Sequence, residues 1–431
     1  MSKAQTAEET TLSLGFWRSR YTLICLCALA TFICYLDRIN ISVTIIPMAE
    51  EMSWDPKTQG LVLSSFFVGY LLTQIIGGWL ADKFGGKIVL AYGVMLWSLF
   101  TVLIPPSAAF GLTMLILVRI GLGMGEAVLL PSIYALVGRW FPATERARAI
   151  SFNTSFVWLG TVCALLVTPV IVSSLGWRWV FYLYGALGVF WLMLWLPLVS
   201  AQPQSHRKIS AQELAEISGS SQPAGADNAP GIVDLLKHRA VWAIIVAHFC
   251  YNWSLYVLLS WLPSFVNKGL GVDFKSVGLV TMLPYVCAFF AMNVAGTVAD
   301  KLVTRGMSVT RVRKLMQTLA MGGLVISLSI VGLVETVTAA IIIMCCGMGL
   351  GSFAGGGFAV NHMDIAPRHA GKLMGITNTA GTIPGIVGVY ISGLILQLTG
   401  SWMLVFQVTA GVSLFGLIFY LLFASGEKIY D

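Results

Sequence analysis

Charge is what this sequence has least of. Of its 431 residues, 26 are Lys or Arg and 19 are Asp or Glu, 10% in all, whereas a soluble domain carries about 25%. A chain this poor in ionic groups cannot cover a water-facing surface, which excludes an ordinary soluble fold. Five histidines (His206, His238, His248, His362, His369) are scattered, with no His-x-x-x-His or Glu-x-x-His pair. Nothing here has the pattern of a membrane-embedded hydrolase or transferase, which needs a nucleophile, base or metal cluster. The eight cysteines (Cys25, Cys27, Cys34, Cys163, Cys250, Cys287, Cys345, Cys346) follow neither metal nor secreted-disulfide spacing and read as small buried hydrophobes. The glycines at 347, 349, 351 and 355–357 lack the strand and lysine of a phosphate loop and read as helix-packing or hinge material. The net charge of +7 is dispersed over short loops, which argues against nucleic acid as a partner.

What the sequence has in abundance is apolar length. Hydrophobic residues make up 57% of the chain, and a bilayer span needs roughly 20 of them in a row. Apolar windows predict twelve helices, at 21–46, 58–82, 88–105, 110–139, 147–173, 177–199, 239–266, 276–300, 313–334, 337–363, 371–397 and 402–424. The run from Tyr21 exceeds a signal peptide's apolar region and no cleavage pattern follows it, so it is expected to remain as the first span. The fold class expected is an all-α membrane protein of two six-helix bundles, 21–199 and 239–424. Tails at 1–20 and 425–431 flank them, and a hydrophilic linker at 200–238 joins them. That linker reads as a flexible connector with one short amphipathic helix at Ser210–Ile217.

Lysine and arginine placement sets the expected orientation. The N-terminus, Lys83, Lys87, Arg139, Arg146, Arg148, the linker, Lys301, Arg305, Arg311, Arg313, Lys314, Arg368, Lys372 and Lys428 fall on one side. Only Lys57, Arg178, Lys268 and Lys275 fall on the other. Both termini and the linker are therefore expected in the cytoplasm, in a cell or inner membrane.

Against this background, four charges inside spans stand out: Asp37 and Arg38 in span 1, Arg119 and Glu126 in span 4. A charge at the bilayer centre costs roughly 2.5–3.5 kcal/mol or more, and such residues usually face a cavity or an ion path. Arg38 presents a planar fork suited to a carboxylate. Asp37, its neighbour, points about 100° away on a helix and serves better as a partner for another helix or as a proton carrier. Arg119 and Glu126, two turns apart, share a face, and Gly121, Gly123 and Gly125 between them permit close helix packing. The plainer alternative is that these are structural pairs holding helices together. His248, alone within a span, reads as a core histidine before a relay, and Pro131, Pro284 and Pro384 as kinks.

Two halves are also legible as a repeat. Gly78-Trp-Leu-Ala-Asp82-Lys83 after span 2 is echoed by Gly296-Thr-Val-Ala-Asp300-Lys301 after span 8. With Lys83-x-Gly85-Gly86-Lys87, this pattern resembles the major facilitator superfamily. Tyr35-Leu-Asp37-Arg38-Ile-Asn40 in span 1, Asn361-His-Met-Asp364-Ile-Ala-Pro-Arg368 and Gly375-Ile-Thr-Asn378-Thr379 resemble its anion:cation symporter branch, which includes sialin, vesicular glutamate transporters, plastid anion transporters and bacterial sugar-acid carriers.

The resemblance implies a proton-coupled symporter of a small organic anion, a sugar acid or related monocarboxylate, working by alternating access without a cofactor or metal. Substrate would be held by Arg38, Tyr70, Arg119 and Asn378, with Tyr285 helping to close the site. Asp37 and Glu126 would couple protons, and Gly78, Asp82, Lys83 and Asp300 would form gate contacts. Two departures bear on substrate. Tyr251 stands where vesicular glutamate transporters carry a further arginine, and an apolar residue near Val157 replaces a glutamine of galactonate-type carriers. Sodium-coupled phosphate uptake, anion exchange and export of an acidic metabolite are the rival readings, with a transporter-like sensor a more distant one. Monomer is the expected state.

Overall fold

The computed structural model describes residues 18–207, 209–219, 231–334 and 336–430. The tail before Arg18, Lys208, linker residues 220–230, Glu335 and Asp431 lie outside the described residues. Among those described, twelve helices are long and apolar enough to cross a membrane. They are α1 (Ser19–Glu51), α2 (Pro56–Phe84), α3 (Gly86–Ala109), α4 (Leu112–Trp140), α5 (Ala143–Leu175) and α6 (Trp177–Leu198) in the first half. The second half holds α7 (Arg239–Gly269), α8 (Phe274–Thr304), α9 (Val309–Val331), α10 (Val337–Ile365), α11 (Ala370–Thr399) and α12 (Trp402–Phe423). The protein is thus a multi-pass integral membrane protein.

Several helices outrun the expected spans. The 33 residues of α1 make a rod of about 50 Å at 1.5 Å per residue, longer than a hydrocarbon core of about 30 Å. The apolar window found only its middle, because the polar first and last turns remain helical outside lipid. Turns between spans are tight: Gly85 (φ 87°) closes α2 and opens α3, and Gly176 (φ 90°) does the same between α5 and α6. Both need the left-handed region that glycine enters without penalty.

Two spans are broken for chemical reasons. In α4 the helix falters at Ala127–Val128, one turn before Pro131, whose ring cannot donate to the Ala127 carbonyl and crowds it. In α10 it gives way to a short 3-10 stretch at Ser352–Gly356. Gln317 of α9 closes that gap by accepting the Phe358 N–H at 3.1 Å, so the restarted helix is capped from a neighbour. By contrast, Pro284 and Pro384 sit inside unbroken α8 and α11.

The linker is not a loose connector along its described length. Helix Ala211–Gly219 lies against the start of α1, where the Glu213 carboxylate accepts the N–H groups of Ser19 and Arg20 at 3.1 and 3.0 Å. That is a helix cap supplied from a distant segment, with the negative charge at the positive helix end. Arg20, fully buried, reaches Glu145 at 3.0 Å and Glu216 at 3.2 Å, and Arg18 also pairs with Glu216. On the second half, helix Ile232–Leu236 meets the C-terminal tail: Tyr430 donates its hydroxyl to the Asp234 carbonyl and touches His238 at 3.0 Å. The expectation of flexibility came from composition, which shows neither cap nor clamp.

The two halves meet through α2 with α11, α5 with α8, and α1 with α7. Their close approaches lie toward the end opposite the linker and at mid-span, where the Thr382 hydroxyl of α11 also donates to Gln74 of α2 at 3.2 Å. A Cβ on Gly60 would stand 3.3 Å from Gly393, one on Gly278 2.0 Å from the Leu165 carbonyl, and one on Gly385 2.3 Å from Phe67. Glu50 and Lys268 pair across the same end at 3.9 Å. At the linker end, Gly78, Gly296, Gly371 and Gly375 face open space. The bundle is closed at its far face and parted at its linker face.

Candidate functional site

The site is built from α1, α2 and α4, and it begins with backbone contact. A Cβ on Gly69 of α2 would lie 1.8 Å from the Ile120 carbonyl oxygen, and one on Gly123 of α4 would lie 2.0 Å from that of Phe66. Only glycine allows this approach. Gly121 makes room for Phe100, and Gly125 for Trp97, on the α3 side. The glycine run thus lets α4 pack against two helices at once and carries Glu126 into the interior, where it is fully buried.

Arg38 reaches Glu126 from α1. Its Nε and Nη2 donate to the same oxygen, Oε2, at 3.0 and 2.9 Å, and the Cys34 thiol donates to that oxygen at 3.1 Å. The other carboxylate oxygen, Oε1, is buried without a hydrogen-bond partner. Three rings enclose the guanidinium: Tyr35, Phe66 and Tyr70 have centroids 4.8, 5.0 and 4.9 Å from its central carbon. Each such contact stabilises a cation by about 0.5–2 kcal/mol. Arg38 keeps 10% of its side chain exposed, Glu126 none. From the second half, Tyr256 of α7 packs on Phe67 at 4.6 Å and is close enough to Arg38 and Tyr70 to interact electrostatically.

The structure therefore brings together Arg38, Glu126 and Tyr70 of the expected set, and separates others. Arg119 does not reach Glu126; its Nε donates to the Val62 carbonyl at 2.7 Å and its Nη2 to that of Leu63 at 3.5 Å. Heptad spacing put the two residues on one face of α4, but the long arginine side chain turns toward α2. Tyr285 is 2% exposed within an apolar cluster that includes Leu258, Ala288 and Leu324, away from Arg38. Asn378 lies on α11, partly exposed. Asp37 points about 100° around α1 from Arg38, away from the Arg38–Glu126 pair, and is 2% exposed with no hydrogen bond of normal geometry to either oxygen. Gly78, Asp82, Lys83 and Asp300 stand at the parted linker end. Asp82 and Asp300 are exposed and make no ion pair among the described residues, and Lys83 lies over the Trp79 and Phe84 rings at 4.6 and 5.3 Å.

Some participants were missed. Cys34 and Tyr35 precede Arg38 by four and three residues, one helical turn, and that spacing was the available signal. Reading every cysteine as a small hydrophobe hid the thiol that donates to Glu126. Tyr256 could not be found from spacing, because it comes from the other half. His248 is not isolated: it shares the Thr377 hydroxyl (3.2 Å) with His362 (2.8 Å), joining α7, α10 and α11. Among the described residues no group of three or more His, Cys, Asp or Glu could hold a metal ion.

Two six-helix halves closed at one face and parted at the other, with a buried arginine–carboxylate pair near their junction, define a membrane carrier architecture. The family model of the Major Facilitator Superfamily matches residues 27–389, and the chain belongs to that superfamily. It is 40% identical over 412 residues to the chloroplastic ascorbate transporter of Arabidopsis thaliana, covering 96% of this chain and 76% of that one. It is 39% identical over 428 residues to the chloroplastic sodium-dependent phosphate transport protein 1 of the same plant (98% and 83% covered). To human sialin it is 36% identical over 445 residues (95% and 90% covered). Among solved structures, a bacterial homologue of the human lysosomal transporter Spinster, inward-facing and unoccupied, superposes with a TM-score of 0.79 at 17% identity, covering 95% of this chain and 97% of that one.

Proposed function

We propose that this chain is a secondary active carrier that moves a small organic anion together with protons, holding the anion on Arg38 and a proton on Glu126. The observation that carries the reading is the Arg38–Glu126 pair itself. An incoming carboxylate must compete with Glu126 for the guanidinium. Once displaced, Glu126 would be a fully buried, unpaired charge, which is among the costliest states in a low-dielectric interior. A proton on Glu126 removes that cost. Arginine with ionised glutamate, and arginine with substrate anion beside protonated glutamate, are both neutral, so anion and proton enter together. Names of relatives support the anion: the ascorbate transporter and the sodium-dependent phosphate transport protein, like sialin, match this chain at 36–40% identity.

Tyr70, against the guanidinium, and Tyr256, packed on Phe67 from the other half, suit hydroxyl groups of a polar substrate, with Asn378 a further contact on α11. Alternating access would part the far face and bring the Gly78–Asp82–Lys83 segment against the second half near Asp300. The basic residues gathered at the parted end support a cytoplasmic position in a cell membrane for that end, both termini and the linker, with the protein acting as a monomer.

The test is uptake into proteoliposomes from a panel of sugar acids, sialic acid, ascorbate, dicarboxylates and phosphate. A proton gradient should drive accumulation of one organic acid, Arg38→Ala should abolish it, and Glu126→Gln should leave exchange without accumulation. Uptake indifferent to the gradient, or surviving Arg38→Ala, overturns the reading.

A further inference from the structure

Between α7 and α12 runs an apolar groove of about 530 Å³, lined by Ile245, Val246 and Phe249 of α7 and by Val408, Val412 and Phe415 of α12. No side chain on its wall carries nitrogen or oxygen. Two glycines explain it. Gly416 lets α12 close on α7, since a Cβ there would stand 2.4 Å from that of Cys250. Gly411, on the preceding turn, faces open space, and a Cβ there would meet nothing within 4 Å. The helices therefore touch at one level and leave a gap at the next. Phe415 is exposed, so the gap opens to the surroundings of the bundle, which along a membrane span are hydrocarbon.

The groove has a charged entrance. Arg239, Trp242, Val246 and Phe249 recur at intervals of three and four residues, so they form one stripe along α7. Arg239 begins the helix and is exposed, and its guanidinium makes no ion pair or hydrogen bond among the described residues. Lys237 beside it is answered by Asp234 at 2.8 Å, which leaves Arg239 as the unmatched charge at the mouth. Trp242 is half-exposed and donates its indole N–H to the Leu236 carbonyl at 2.8 Å, the habit of a ring at the boundary between headgroups and hydrocarbon. Ile232 and Val233, exposed on the short helix before α7, carry apolar surface to the same boundary. On α12 a file of rings, Phe415, Phe419 and Phe423, with centroids 6.1 and 4.7 Å apart, leads from the groove to that end.

Depth and charge select the occupant. From Arg239 to Phe249 the helix rises about 15 Å, which matches one leaflet of a hydrocarbon core about 30 Å thick. A lipid chain in the groove would thus have its headgroup at Arg239 and its tail beside Phe249 and Val412. The arginine fork takes a phosphate bidentately. A zwitterionic headgroup brings its own ammonium to that phosphate, whereas an anionic one leaves it to the arginine.

We propose that this groove is a phospholipid site that prefers an anionic headgroup. Arg239 holds the phosphate, Trp242 sits at the headgroup boundary, and one acyl chain fills the gap between α7 and α12. The transported anion would find no partner for a carboxylate on these walls. Helix α7 also carries Tyr256, two turns past Phe249 and near the Arg38 guanidinium. A lipid tying α7 to α12 would therefore steady the helix that brings the second half to the Arg38 site. The inference does not depend on which ion drives transport.

Native mass spectrometry of the purified full chain in detergent micelles, with phosphatidylglycerol or phosphatidylcholine of the same acyl chains added, tests the site. One phosphatidylglycerol should stay bound where phosphatidylcholine is stripped, and it should raise the unfolding midpoint more. Arg239→Gln should weaken that preference about fivefold, as expected for one basic group facing an anionic headgroup. Gly411→Leu puts a side chain where the acyl chain would lie. It should hold the midpoint in lipid-free micelles, because the position faces open space, yet lose both the retained lipid and the lipid-induced rise. Phosphatidylglycerol with a photoreactive group on its acyl chain should label residues 242–249 and 408–415 of the unaltered protein. Equal retention of the two lipids, a preference unchanged in Arg239→Gln, or retention that survives Gly411→Leu overturns the proposal. Labelling spread evenly over the exposed faces of all spans overturns it too. So does a dimer joined across this groove, which would make a second copy of the chain the occupant.

Discussion

Arg38 places two hydrogen bonds on one oxygen of Glu126, at 3.0 and 2.9 Å, and leaves the second oxygen of that buried carboxylate without a partner. The pair is stable yet asymmetric. One edge of the carboxylate is tied to the arginine, and the other is open to a proton or a substrate hydroxyl.

Glu126→Gln keeps the shape of that side chain but can no longer change charge. The amide oxygen still accepts from Arg38, so folding should survive, with a loss well under the roughly 3–5 kcal/mol that follows complete removal of one partner from a buried pair. Exchange of labelled for unlabelled anion should continue in proteoliposomes. Accumulation driven by a pH gradient should fall to background. Accumulation at the normal level in this variant would show that the proton travels elsewhere.

Arg119 should behave as a fastener. Its guanidinium bridges α4 to the backbone of α2, and a charged donor on a carbonyl contributes about 1.5–3 kcal/mol. Arg119→Leu should therefore lower the unfolding midpoint while the KM for the anion changes less than about threefold, below about 0.7 kcal/mol. An unchanged midpoint with KM raised about tenfold or more would return Arg119 to the substrate.

The architecture was legible in the sequence because lipid imposes it: twelve apolar runs could fold in few other ways, and the repeated Gly78 and Gly296 motifs divided them into halves. Arg38 and Glu126 were legible for the same reason, since a charge within an apolar run announces itself. What could not be read was direction across helices. Spacing showed that Arg119 and Glu126 share a face of α4, but whether a long side chain turns to Glu126 or to the Val62 carbonyl depends on how closely α2 approaches. The Tyr256 contact needed the packing of one half on the other, and the Glu213 cap on α1 needed a contact between residues 193 positions apart.

The glycines give a prediction with opposite signs at two positions. Gly69→Ala forces a methyl toward a backbone oxygen that lies 1.8 Å from its ideal place, so α2 and α4 must separate. Overpacking of this kind costs about 1–3 kcal/mol or more, and it should lower the unfolding midpoint and disturb the Arg38 cage together. Gly78→Ala meets open space at the parted end and adds a better helix former, a gain of up to about 1 kcal/mol. It should hold or raise the midpoint while slowing turnover, because the second half must close against that surface. Equal stability losses at both positions would mean that the linker end is not parted in the resting protein.

The linker clamp sets the last expectation, its dependence on pH. Partial desolvation pushes the Glu216 carboxyl up, but the hydrogen bonds and charges of Arg20 and Arg18 outweigh it and hold the group below the usual carboxylate range. A lowered folded value means that the ionised clamp favours the docked state above the unfolded value of about 4.3. That contribution is lost only as pH falls through the lower, folded value. Docking of Ala211–Gly219 on α1 should therefore persist across the range in which the proposed coupling carboxylates would exchange protons, so the linker would hold still while they titrate. Hydrogen exchange read by mass spectrometry, corrected for intrinsic rates, should show constant protection of this helix from about pH 8 to about pH 5, above the ordinary glutamate range. Glu216→Gln should reduce that protection at every pH in the range, because a neutral amide cannot answer two arginines. Protection that fades between about pH 7 and about pH 5 in the unaltered protein would instead make the clamp part of the proton response, through a group other than Glu216.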